Sequence, residues 1–139
     1  MHPILYSFRR CPYAMRARWA LLEAGLIVDW REIELKRKPV QMLECSAKGP
    51  VPVLVLPKGT VIDESEAVMR WALAQADPRG VLQAGEASAL IAQNDGAFKH
   101  HLDRFKYTDR YPGESRDEHR DAGLCILAGW SQRLEQHPW

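Results

Sequence analysis

Cys11 stands where a short apolar run, Ile4 to Ser7, gives way to a basic turn and then to a predicted helix. The first backbone N–H groups of a helix have no intrahelical partner and carry the positive end of the helix dipole, which favours the thiolate form of a cysteine there. Arg9, Arg10 and Arg16 add positive charge on both sides. The pattern predicts that Cys11 is a reactive nucleophile.

Other interpretations of this stretch are possible. Most free cysteines are buried and behave as small hydrophobic residues, although the nearby arginines disfavour an apolar pocket. Tyr6 and Ser7 carry hydroxyl groups that could rival Cys11, but each fits equally well in a strand or a turn. Pro12 suits the first helical position, because the N–H that it lacks would be unpaired there.

The composition of the 139 residues is that of an ordinary globular protein, with 46% hydrophobic and 27% charged residues. The formal net charge of +1 gives no attraction to nucleic acids or anionic membranes, so neither is expected as a partner. No apolar run approaches the roughly 20 residues that span a bilayer. The start Met1-His2-Pro3 lacks the features of a signal peptide, which predicts a cytoplasmic location. Cys45 and Cys125 have no partner at a disulfide or zinc spacing.

The order of predicted elements over residues 3 to 76 is βαβαββα, the thioredoxin-like arrangement. The first helix ends near Gly25, and Met15, Trp19 and Leu22 recur at the spacing of one buried face. The remaining elements are a strand from Val28 to Leu35, a short helix around Val40 to Leu43, strands at Val51 to Leu56 and Thr60 to Ile62, and a helix from about Ala67.

Pro52 follows Val51 at the start of an apolar strand, where the missing N–H of a proline is tolerated. An X-Pro bond in this position is a candidate cis peptide that would face Cys11, with the backbone of Val51 available to pair with an extended peptide. A trans proline that begins an edge strand is the alternative.

Asp63-Glu64-Ser65 precedes the third helix, and Ser65 or Asp63 is the expected N-cap. The first turn could also receive a ligand carboxylate, and Glu64 could accept a ligand ammonium group. The basic cluster Lys36-Arg37-Lys38 follows the second strand. It is either a solvated surface or a border of the ligand crevice.

Three motifs together resemble the N-terminal domain of cysteine-type glutathione transferases, especially the omega-like group, and more distantly glutaredoxins. These motifs are Cys11-Pro12-Tyr13-Ala14, Val51-Pro52 and Glu64-Ser65, and Lys36 to Pro39 resembles the lysine-proline segment of omega-like members. The resemblance implies a thioredoxin-like α/β domain at residues 1–76 followed by a partial all-helical domain at residues 77–139. It also implies glutathione as co-substrate and a homodimer.

The resemblance further implies a role for each motif residue. Cys11 would face the glutathione sulfur, with Tyr13 beside it in the binding site. Val51, before a cis Pro52, would pair with the cysteinyl backbone of glutathione. Glu64 and Ser65 would hold the γ-glutamyl group, and Lys38 would assist with the glycyl carboxylate.

Ala14 occupies the position at which dithiol glutaredoxins have a second cysteine, so an adduct at Cys11 must be released by another thiol. The leading hypothesis is therefore thiol transfer through a mixed disulfide at Cys11, with glutathione and a small-molecule or protein thiol or disulfide as substrates. The alternatives are conjugation of glutathione to electrophiles and a non-catalytic interaction or regulatory protein. Family members continue with further helices that complete the pocket for a second substrate.

The second half of the chain predicts two amphipathic helices, from Glu86 to about Tyr107 and from Ser115 to Glu135. This region contains four histidines, His100, His101, His119 and His137. Adjacent histidines on a helix point about 100° apart, and no HExxH-like spacing is present, so no metal site is expected.

Overall fold

The computed structural model describes residues 1–83 and 87–136, which fall in two compact units, Met1–Ala84 and Gly85–Trp139. The first unit has the predicted βαβαββα order of a thioredoxin-like fold. Its elements are β1 (Ile4–Ser7), α1 (Pro12–Glu23), β2 (Asp29–Glu32), α2 (Val40–Cys45), β3 (Val53–Val55), β4 (Val61–Ile62) and α3 (Ser65–Gln75).

The four strands form one mixed sheet in the order β2-β1-β3-β4. β1 runs parallel to β2 and antiparallel to β3, with Tyr6 opposite Val53. Because β1 and β3 run in opposite directions, the last residue of β1 and the first residue of β3 lie at the same end of these two neighbouring strands. The turn that contains Cys11 and the segment that contains Pro52 therefore meet there.

The buried face of α1 differs from the predicted one. Met15, Trp19 and Leu22 are exposed by 48%, 40% and 78%. Small residues line the interface instead, and α1 packs against α3. The buried residues of α1 are Ala14, Ala17, Ala20 and Leu21. Alanine lets two helices approach closely, so the alanine face of α1 is buried although it is only modestly hydrophobic. The bulky side chains of α1 lie on its exposed face.

β1 has its predicted bounds, whereas β2, β3 and β4 are shorter than predicted. β2 covers Asp29–Glu32 and is exposed along its whole length at the sheet edge. β3 begins at Val53 rather than Val51. Pro52 cannot donate to a strand ladder, which explains why regular pairing starts after it.

Hydrogen bonds hold residues 77–83 against the helices of the first unit. Both carboxylate oxygens of Asp77 accept backbone hydrogen bonds, from Val81 and Leu82 at 2.8 Å each. Arg79 donates to Glu23 of α1 at 2.6 Å. These contacts hold a short 3-10 helix, Val81–Gln83, against α3.

The described residues of the second unit form helices joined by short turns. It contains α4 (Ala87–Gln93), a π-helical segment (Asn94–Phe98), α5 (Lys99–Lys106), a 3-10 turn (Thr108–Arg110) and α6 (Arg116–Gln136). The predicted helices are thus found within a few residues of their expected ends, and Glu86 lies outside the described residues. α5 packs against α6, where Gly123 is buried. Among the described helices, none combines the length and the apolar character needed to cross a membrane.

Candidate functional site

Cys11 is the N-cap residue of α1, at the end of a tight turn after β1. Its backbone N–H donates to the carbonyl of Phe8 at 3.0 Å, and its own carbonyl accepts from Met15 at 2.9 Å. Pro12 occupies the first helical position as predicted, and the Cys11 side chain makes no capping hydrogen bond. The half-buried thiol therefore lies at the positive end of the helix dipole.

Val51 and Pro52 face this thiol from the start of β3. The Val51–Pro52 peptide bond is cis, which confirms the prediction. The Cys11 thiol donates to the Val51 carbonyl, with Sγ and O separated by 3.8 Å. Val51 is 8% exposed, so the residue that faces the thiol is largely buried.

The arginines around Cys11 contact several neighbours. Arg10 lies over the ring of Phe8, at 5.4 Å from the ring centre. Arg16 lies over the ring of Tyr13 at 5.0 Å and donates from Nε to Oγ of Ser65 at 3.0 Å. Arg16 thus links α1 to the first residue of α3, and it brings Tyr13 and Ser65 to the same side of the unit.

Arg18 holds the turn that precedes Cys11, a role that the sequence analysis missed. Its guanidinium donates to Oγ of Ser7 at 2.7 Å and to the carbonyls of Phe8 and Arg9 at 3.3 and 3.0 Å. Ser7 is fully buried, and Arg18 lies over the ring of Trp30. The available signal was the position of Arg18, two helical turns after Cys11, where its side chain points back toward the N-terminus of α1.

Glu64 is the N-cap residue of α3, and its side chain makes no capping hydrogen bond. The predicted caps were wrong, because Ser65 is already the first helical residue and Asp63 accepts a hydrogen bond from Ser46 at 3.2 Å. The Glu64 carboxylate is 64% exposed and lies 3.6 Å from Lys48. The first turn of α3 and the accessible Glu64 carboxylate thus lie together. A ligand could bind its carboxylate at the helix start and its ammonium group at Glu64.

Lys38 lies close to Gly49, two residues before Val51. A Cβ atom built on Gly49 would come within 3.0 Å of the Lys38 ammonium nitrogen, and Gly49 has a φ of +70° that favours glycine. Arg37 instead forms an exposed ion pair with Glu34, with 3.0 Å between its guanidinium nitrogen and the carboxylate oxygen. Of these two basic residues, Lys38 is the one found beside the segment that leads to Val51.

The other two cysteines lie in different environments. Cys45 is the last residue of α2 and is half-buried. Cys125 is exposed on α6. Ala14, at the position where dithiol glutaredoxins have a second cysteine, is fully buried.

Three of the four histidines converge within the second unit. His100 and His101 have ring centres 5.0 Å apart, and His119 of α6 lies 5.6 and 5.2 Å from them. His137 lies outside the described residues. No metal site was expected, because adjacent histidines on one helix point apart. The ring of His119 comes from α6 and lies close to both, so this reason does not apply. Burial lowers the pKa of His101, and the nearby His100, His119 and Arg104 lower it further.

Comparisons with known proteins show the family to which this fold belongs. The family model of the glutathione S-transferase N-terminal domain matches residues 5–80. A probable glutathione transferase from Aplysia californica is 34% identical over 93 residues, which is 67% of this chain and 97% of that protein. The chain therefore belongs to the glutathione S-transferase family.

Solved structures of this family share the fold. A trimeric glutathione transferase from Leishmania has a TM-score of 0.73 at 22% identity over 99% of this chain. A dehydroascorbate reductase from Chlamydomonas reinhardtii has a TM-score of 0.74 at 22% identity, also over 99% of this chain. The chain spans 31% of the Leishmania protein and 64% of the Chlamydomonas protein.

Proposed function

We propose that this chain binds glutathione between the Cys11 turn and Val51 and uses Cys11 for thiol transfer. The observation that carries the proposal is the separation of 3.8 Å between Cys11 Sγ and the Val51 carbonyl. At this separation one tripeptide could contact both the Cys11 sulfur and the Val51 backbone. Cys11 stands at the start of α1, at the positive end of the helix dipole, and a thiolate is the attacking form in disulfide exchange.

Glutathione would lie along the edge of the first unit, with its sulfur toward Cys11. Its cysteinyl backbone would pair with Val51, in the manner of an added strand. Its glycyl carboxylate would be drawn toward Lys38, whose ammonium group lies beside Gly49. Tyr13, held under Arg16, would border the sulfur.

The γ-glutamyl group would bind at the start of α3. Its carboxylate would accept hydrogen bonds from the backbone and hydroxyl of Ser65, with Arg16 behind that hydroxyl. Its ammonium group would pair with the exposed Glu64 carboxylate and displace the weak contact with Lys48 at 3.6 Å. The cysteinyl residue lies in the middle of the tripeptide, so its sulfur would point toward Cys11 between the γ-glutamyl end at α3 and the glycyl end near Lys38.

The proposed reaction proceeds through two exchanges of a disulfide. The Cys11 thiolate attacks the glutathione sulfur of a glutathionylated substrate, so a disulfide forms between Cys11 and glutathione and the substrate leaves as a thiolate. A second glutathione thiolate then attacks the glutathione sulfur of this adduct, which releases oxidised glutathione and regenerates the Cys11 thiolate. The proton of the second glutathione passes to the substrate thiolate, and the substrate is reduced by two electrons.

Ala14 supports the monothiol form of this mechanism. It is the third residue after Cys11 and is fully buried, so the motif itself provides no second sulfur to resolve the adduct. External glutathione is therefore the resolving thiol. The Chlamydomonas neighbour is by name a reductase, which agrees with chemistry of this type.

Conjugation of glutathione to an electrophile is the second candidate, favoured by the name of the Aplysia relative as a probable glutathione transferase. A cysteine suits this reaction less well, because it competes with glutathione as a nucleophile. The expected homodimer and cytoplasmic location remain predictions.

A paired assay separates the two candidates. The full chain is given a small glutathionylated disulfide with glutathione, and in parallel an aromatic electrophile with glutathione. We expect turnover of the disulfide that falls to the uncatalysed rate in Cys11→Ser and persists in Cys125→Ser. Turnover of the electrophile alone, unaffected by Cys11→Ser, would contradict the proposal.

A further inference from the structure

The histidine cluster joins two helices of the second unit that the proposed glutathione chemistry does not use. Each of His100, His101 and His119 offers a ring nitrogen, and these three nitrogens lie within 4.8 Å of one another. Two of the rings come from α5, and the third comes from α6, 18 residues after His101. We propose that His100, His101 and His119 bind one divalent transition-metal ion of the zinc type.

The spacing of the nitrogens suits a metal ion. Nδ1 of His101 faces Nδ1 of His119 at 2.9 Å. With Zn–N bonds of about 2.0–2.1 Å, the ligand nitrogens of a tetrahedral site lie about 3.3 Å apart. An ion between the two rings therefore requires them to separate by only a few tenths of an ångström, and the exposed His100 can rotate to supply the third bond.

Glu114 orients His119 as outer partners of metal-binding histidines do. Its Oε2 lies 2.9 Å from Nε2 of His119. A carboxylate only accepts hydrogen bonds, so Nε2 carries the proton and the Nδ1 of the neutral ring presents its lone pair to His101. This chain of carboxylate, imidazole and metal is the usual arrangement around bound zinc.

The positive charge of Arg104 disfavours the binding of a cation at this position. Its Nε donates to Oε2 of Glu114 at 2.6 Å, and its guanidinium lies over the ring of Tyr111 at 4.3 Å. The ion pair with Glu114 largely offsets this charge.

A small cavity adjoins the cluster. It has a volume of about 120 Å³, and His101 and His119 line it together with apolar residues such as Phe98 and Phe105. Three protein ligands leave a fourth tetrahedral position for water or another small ligand. Three imidazoles without carboxylate or thiolate ligands favour zinc, copper, nickel or cobalt over magnesium or calcium.

The test is a titration of the untagged, reduced full chain with Zn²⁺ by calorimetry, and with Co²⁺ by visible absorption. We expect one ion per chain, and Co²⁺ bands of a tetrahedral nitrogen site without thiolate charge transfer. His100→Gln should weaken binding at least tenfold, and its exposed position makes loss of folding no concern. His119→Gln should do the same, and Glu114→Gln should weaken binding about 10–100-fold.

Two controls exclude other ligands. His2→Gln changes an exposed histidine of the first unit, and Cys125→Ser removes the exposed thiol of α6; both should bind Zn²⁺ as the natural chain does. Binding that survives replacement of all three histidines, or that disappears in Cys125→Ser, would overturn the proposal. So would the absence of any binding at millimolar Zn²⁺ in the natural chain.

Discussion

Arg18 donates a hydrogen bond of 2.7 Å to Oγ of Ser7, and so joins the second turn of α1 to the end of β1. The same guanidinium holds the carbonyls of Phe8 and Arg9 in the intervening turn. Cys11 follows this turn directly. Its position relative to Val51 thus depends on a side chain seven residues further along the chain.

The first prediction concerns this contact. Arg18→Met should lower the free energy of unfolding of the first unit by about 1–3 kcal/mol, because the fully buried hydroxyl of Ser7 loses its charged partner. Urea denaturation monitored by tryptophan fluorescence measures the change. Arg37→Met is the matched control, since it removes only an exposed ion pair with Glu34 and should change the free energy by less than about 1 kcal/mol. Equal effects of the two substitutions would show that Arg18 is an ordinary surface residue.

The second prediction concerns the start of α3. Glu64→Ala should weaken glutathione binding by about 1–3 kcal/mol, through loss of the carboxylate that pairs with the ligand ammonium group. Glu66→Ala is the control, because Glu66 lies two residues further along and pairs with Arg70 at 2.7 Å. Calorimetric titration with glutathione distinguishes them. Unchanged affinity in Glu64→Ala would leave this residue with no role beyond its position at the helix start.

The third prediction concerns Ala14. Ala14→Cys should produce the spacing of a CxxC motif, in which an intramolecular disulfide competes with the glutathione adduct at Cys11. Intact-mass spectrometry after treatment with oxidised glutathione should show less adduct than in the natural chain. Ala17→Cys is the control, because Ala17 is equally buried but lies one turn further along α1. Equal accumulation of adduct in all three proteins would contradict the proposed geometry.

The order of the elements could be predicted from the sequence because strand and helix patterns in the first unit are local. The buried face of α1 could not be predicted, because the bulky side chains of this helix are exposed and its small side chains are buried. Trp19 is 40% exposed and lies beside Arg79, whereas Ala14 and Ala17 are fully buried. The packing of α1 against α3 selects small residues, and a pattern of large apolar side chains does not reveal that requirement.

Local backbone geometry was predictable where a motif fixes it, as at the start of α1 after Cys11 and at the cis Val51–Pro52 bond. The contacts that hold those motifs together required the tertiary structure. Arg16 reaches Ser65 over a separation of 49 residues, and His119 reaches His101 over 18. Neither spacing matches a motif, and in both pairs the partner lies on a different helix.

The reactivity of Cys11 is the central claim, and one measurement tests it most directly. The folded chain is exposed briefly to oxidised glutathione near neutral pH, digested and mapped by mass spectrometry. Cys125 is the more exposed thiol, so accessibility alone would favour it. Activation at the start of α1 instead predicts that Cys11 carries the first adduct, with little on Cys45 or Cys125. Modification of Cys45 or Cys125 while Cys11 stays reduced would contradict the assignment of the nucleophile and the thiol-transfer mechanism with it.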